Sequence, residues 1–109
     1  MTYPLLQELN LLHANVCQAL ADPKRILILY ALAERPRHVS ALAEALDIPQ
    51  PTVSRHLALL RQQSLVLTMR EGPAVVYRLA DPRIIEALDT MRAVLIGALE
   101  RQSGLLAVD

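Results

Sequence analysis

The strongest constraint on this chain is a pair of short apolar stripes separated by Asp47-Ile48-Pro49. Leu42, Ala45 and Leu46 belong to the first stripe, and Val53, Leu57 and Leu60 form the second. Apolar residues at steps of three and four share one face of a helix. Proline does not continue a helix interior, and Asp favours a turn, so one helix must stop and another begin within a few residues. The spacing predicts helices from His38 or Val39 to Leu46 and from about Gln50 to Gln63. Two amphipathic helices joined this tightly form a helix-turn-helix.

The flanks extend this unit. Leu5, Leu9, Leu12, Val16 and Leu20 predict a helix over Leu5 to Ala21. Asp22-Pro23 then places an N-cap and a first-turn proline at the start of a second helix ending near Arg35-Pro36. After Gln63 the period changes to two. Leu65, Leu67 and Met69 alternate with Val66, Thr68 and Arg70, and Val75, Tyr77 and Leu79 alternate with Val76 and Arg78. Glu71-Gly72-Pro73 between them is a turn signal, so the segment reads as a β-hairpin. Asp81-Pro82 repeats the cap signal for a last helix to about Gln102, with Ile84, Leu88, Met91, Leu95 and Ala98 as its seam. The predicted fold is mainly α with a small β-hairpin: a winged helix-turn-helix of five helices and a two-stranded wing, one domain over residues 1–109.

Helix geometry sorts the second helix of the pair into two sides. At 100° per residue, Leu57 and Leu60 lie within about 40° of Val53 and point inward. Pro51, Arg55, Ala58 and Gln62 lie opposite, with Thr52 and Ser54 beside them. A guanidinium, hydroxyls and an amide among small side chains suit duplex DNA. Arg grips guanine and Gln grips adenine through two hydrogen bonds each. A helix N-terminus also favours phosphate. The expected DNA contacts are Gln50, Thr52, Ser54, Arg55, His56 and Arg61, with Arg70 on the wing. His56, about 60° from the buried stripe, suits packing beside the turn as well as DNA.

Net charge is zero over 109 residues, yet five arginines face two carboxylates between Arg35 and Arg70. Local charge decides such binding more than the total. Arg35 and Arg37 suit phosphate contact or solvation equally. No apolar run reaches the ~20 residues that cross a bilayer, and Met1 to Leu12 lacks a secretory signal pattern. A cytoplasmic protein without membrane contact is expected. No Gly-rich phosphate loop or nucleophile–base–orienter set is present, so no enzymatic activity and no cofactor are expected. A winged helix that binds protein instead of DNA is the competing class, and the polar outward face argues against it.

The combination of Leu20-Ala-Asp-Pro-Lys-Arg-Ile-Leu-Ile-Leu29, Val39-Ser-Ala-Leu-Ala-Glu-Ala-Leu46, Gln50-Pro-Thr-Val-Ser-Arg-His-Leu57 and the wing with Gly72 and Tyr77 resembles the ArsR/SmtB family of winged-helix repressors. The resemblance runs from roughly Asn15 to the end of the chain. It implies homodimers on operator half-sites, with repression relieved by a signal. The first and last helices, rich in apolar residues, are the expected dimer interface. Ser64 stands where the family usually has Gly, and Pro51 where a small polar residue is usual. The family's metal sites are not matched. Its paired cysteines fall on His38 and Ser40, and the last helix holds no histidine beside Asp89 and Glu100. What remains is Cys17 with His13 one helical turn before it. The pair reads as interface packing, as a thiol sensor activated by the imidazole, or as part of a soft-metal site.

Overall fold

The computed structural model describes residues 2–108. The order is α1 (Leu6–Leu12), a π-turn (His13–Cys17), a 3-10 turn (Ala19–Ala21), α2 (Pro23–Glu34), α3 (Val39–Leu46), α4 (Gln50–Gln62), β1 (Val66–Glu71), β2 (Ala74–Leu79) and α5 (Arg83–Val108). The expected first helix, Leu5 to Ala21, is therefore three helical types in succession. Gln18 N–H donates to His13 O at 3.0 Å, five residues back, which widens the turn. Asp22 at the N-cap stops the segment, and its Oδ1 accepts from Lys24 N–H at 2.8 Å. Asp81 acts similarly before α5, where the Arg83 side chain and N–H hold its carboxyl down to about 2. The last helix passes the expected end at Gln102 and reaches Val108, since Gly104 alone does not stop a helix.

One apolar cluster holds the body together. Ile28, Leu29 and Leu32 of α2 meet Leu42 of α3, the Val53, Leu57 and Leu60 stripe of α4, and Val66 of β1. Every predicted inward residue of α4 is fully buried. The hairpin pairs Val66 with Leu79 and Thr68 with Tyr77, and this face turns to the body. Leu67 and Met69 stay exposed. A third extended piece joins the hairpin: Arg37 and Tyr77 exchange backbone hydrogen bonds at 3.0 and 2.8 Å.

Both turns that flank α4 close through left-handed residues. Asp47 (φ 54°) ends α3, and Ile48 N–H donates to Ala43 O at 3.1 Å. Ser64 (φ 62°) ends α4, and Leu65 N–H donates to Leu60 O at 2.9 Å. Each is the six-residue closure that usually carries glycine. Ile48 and Leu65 are buried, which anchors both exits. A non-glycine residue here costs about 1–2 kcal/mol, partly offset by glycine's greater unfolded entropy. Ser64→Gly is therefore expected to raise stability by about 0.5–1 kcal/mol in urea unfolding. Equal or lower stability would show that the strain at Ser64 does not exceed the entropy cost of glycine.

The ends project from the body. At 26 residues α5 is about 39 Å long. The radius of gyration is 17.0 Å, against about 13 Å for a compact chain of this length. No residue of α1 is buried, and Met91, Val94, Leu95, Ile96 and Leu99 of α5 are all more than half exposed. A cleft of about 650 Å³ between the first helical segment and α5 is lined by Leu12, Val16, Leu20, Leu65, Leu88 and Met91 among others.

Candidate nucleic-acid interface

Burial of Val53, Leu57 and Leu60 leaves the opposite side of α4 no choice but to face solvent. Gln50, Ser54, Arg55, Ala58, Arg61 and Gln62 are exposed, and Thr52 is half-buried. Pro49 O accepts from Thr52 and Val53 N–H at 3.0 and 3.1 Å, which closes the first turn. Pro51 occupies that turn, where its missing N–H breaks no bond. The Arg55 guanidinium donates to Thr52 Oγ1 at 3.4 Å, so a neighbour on its own helix orients it. That contact is long and exposed.

The wing follows this helix directly, and β1 packs against α4. Arg70 lies exposed in β1 opposite Val75, one pair before the turn. Gly72 (φ 61°) makes that turn, with nothing near its missing side chain. Arg78 is also exposed, on β2. The site is thus a polar helix face with four exposed arginines on α4 and the wing.

Two basic residues before α3 part company. Arg35 is exposed, whereas the Arg37 side chain is about nine-tenths buried and bonds Glu34 Oε1 at 3.0 Å. Arg37 is thereby committed to the body. His38 Nδ1 lies 3.2 Å from Val75 O, which ties the start of α3 to the wing.

His56 turns inward, not toward the outer face with Arg55. Its side chain is 13% exposed and fits between α4 and the start of α2. Nδ1 lies 3.4 Å from Arg25 Nη1, and Nε2 lies 3.8 Å from Asp22 Oδ2. Burial lowers its pKa from 6.5; Asp22 opposes the shift, and Arg25, Lys24 and Arg55 reinforce it. A histidine held neutral in this way supports the folded state above its ordinary range. That support is lost as pH falls through it, because the unfolded chain binds the proton first. Sequence periodicity placed His56 half inward but could not name Arg25, which lies 31 residues away in the chain.

His13 begins and Cys17 ends the π-turn, and both are exposed. Among the described residues no group of three or more His, Cys, Asp or Glu side chains could hold a metal ion. No helix among them is long and apolar enough to cross a membrane.

Comparison with known proteins agrees with this geometry. A family model described as bacterial regulatory protein, arsR family, matches residues 22–68, from the α2 cap into the wing. The HTH-type transcriptional regulator KmtR of Mycobacterium tuberculosis is 41% identical over 81 residues, 74% of this chain and 62% of that protein. The chain spans 50–63% of the length of several curated relatives that it matches. The crystal structure of Rv0081 from M. tuberculosis superimposes with a TM-score of 0.76 at 34% identity, covering 92% of this chain and 98% of that one. A homodimeric winged helix-turn-helix DNA-binding domain from Mycobacterium bovis, a possible ArsR-family regulator solved by NMR, gives 0.75 at 32% identity, covering 93% and 95%.

Proposed function

The chain belongs to the arsR family of bacterial regulatory proteins, and from that premise we propose that it is a homodimeric, sequence-specific repressor of transcription. The observation that carries this reading is the outer face of α4. Its whole apolar stripe is spent on the core, so Gln50, Thr52, Ser54, Arg55 and Arg61 are free for a major groove. Arg70 on the wing reaches the flanking phosphates, which position the protein without reading sequence. Residues 1–109 act as one domain, at the DNA in the cytoplasm. The exposed apolar surfaces of α1 and α5 support a dimer through these helices, as does the homodimeric relative. Two copies place their α4 helices on successive half-sites. A signal releases the repressor, through oxidation of the exposed Cys17 thiol or through a ligand. The family is one of DNA-binding regulators, and no catalytic role is assigned.

Fluorescence anisotropy on the chain's own upstream DNA tests this reading. Binding is expected to weaken steeply with salt, because each phosphate contact releases counterions. Arg55→Ala is expected to cost about 1–3 kcal/mol of specific binding with the dimer intact. Normal operator binding by that variant would mean that the wrong face of the helix had been chosen. Failure of the wild type to select any sequence from random DNA would sink the DNA reading itself.

A further inference from the structure

The Arg25 side chain, 16% exposed, directs its three nitrogens to different neighbours. Nε donates to Ala19 O at 2.6 Å and Nη2 to Gln18 O at 3.1 Å. These carbonyls sit at the end of the first helical segment, and Gln18 O also accepts from Ala21 N–H at 3.2 Å. Nη1 points the other way, 3.4 Å from His56 Nδ1 and 3.9 Å from Asp22 Oδ2. Among the described residues, the polar side-chain contacts of α4 with another element all run through His56 to α2.

We propose that Arg25 is a positioning residue that locks the reading helix α4, through the neutral ring of His56, to the end of the first helical segment. Guanidinium only donates, so His56 Nδ1 must accept and the ring proton must sit on Nε2, facing Asp22. A proton on Nδ1 would set a donor against a donor and open the lock. The charged groups around the ring are Asp22, Lys24 and Arg25 from the start of α2 and Arg55 from α4; the first segment contributes carbonyls to Arg25. Since the first segment carries the exposed apolar surface proposed for the dimer, the lock couples dimer geometry to the pitch of α4. This inference rests on the reading of α4 as the DNA-contacting helix.

Operator affinity is measured against pH for wild type, Arg25→Met, Arg25→Lys and His56→Asn. Asn keeps an acceptor near Nδ1 that does not titrate. Wild-type affinity is expected to fall by about tenfold as pH drops below the ordinary histidine range and the ring protonates. His56→Asn keeps near-normal affinity above that range and loses the acid-side decline. Arg25→Met weakens binding by about tenfold with the dimer intact, and Arg25→Lys does not restore it, because one ammonium cannot serve three spread acceptors. Nitrogen-15 NMR of wild type without DNA is expected to show the Nε2–H tautomer. The Nδ1–H tautomer, an unchanged acid decline in His56→Asn, or normal binding by Arg25→Met would each overturn the lock while wild type still binds its operator. If Arg25→Met fails to fold, the tautomer and His56→Asn decide. Absence of wild-type binding at every pH would overturn both this inference and the DNA reading.

Discussion

Leu95→Arg is expected to yield a folded monomer with operator affinity reduced by about 10²–10⁴-fold, the range by which a second linked contact multiplies binding. Leu95 is 56% exposed on α5 and lies outside the body's core cluster. The substitution removes nothing the single body needs for folding. In a dimer it would bury an unpaired guanidinium in an apolar seam, which is strongly unfavourable. The added charge is positive, so electrostatic repulsion from DNA cannot explain a loss of binding. Light scattering gives the mass, circular dichroism the fold, and anisotropy the affinity. A variant that stays dimeric at micromolar concentration would remove α5 around Leu95 from the interface. A monomer with undiminished affinity would separate DNA binding from dimerisation altogether.

Leu57→Ala is expected to destabilise the protein by about 2–5 kcal/mol, the cost of deleting a fully buried leucine from a packed core. Leu57 is completely buried in the core cluster that α2, α3, α4 and β1 share. A small domain has about 5–15 kcal/mol in total, so this one change consumes a large share. Unfolding is compared at one protomer concentration, because dimerisation makes stability depend on it. Arg55, two residues away on the opposite side of α4, is expected to leave the unfolding midpoint unmoved when replaced by Ala. The two substitutions therefore separate the halves of one helix: the inner one weakens the fold, the outer one removes the DNA contact. A Leu57→Ala loss below about 1 kcal/mol would mean that the stripe is not the core of the body.

Most of the architecture was legible because it is written in short-range signals. Asp22-Pro23 and Asp81-Pro82 start helices by capping chemistry, and Asp47-Ile48-Pro49 stops one by backbone sterics. The change of period after Gln63 predicts the hairpin, and the angular position of Val53, Leu57 and Leu60 predicts which side of α4 is buried. Exposure of Gln50, Ser54, Arg55 and Arg61 follows from the same geometry. All of these depend on residues within a few positions of one another.

Tertiary structure decided what depends on distance through space. Arg35 and Arg37 are equivalent in sequence, yet Tyr77 pairs with the Arg37 backbone and draws that residue into the body. Periodicity made residues 5–21 a single helix, because it does not register a π-turn that leaves the apolar spacing almost unchanged. His56 was half inward by angle, and only the packing of α2 on α4 brought Arg25 and Asp22 to its two ring nitrogens. The local chain thus determined the elements and their buried faces, since capping and periodicity act over one or two turns. Which polar groups meet across elements was decided by packing, since no local rule fixes the partner of a side chain 31 residues away.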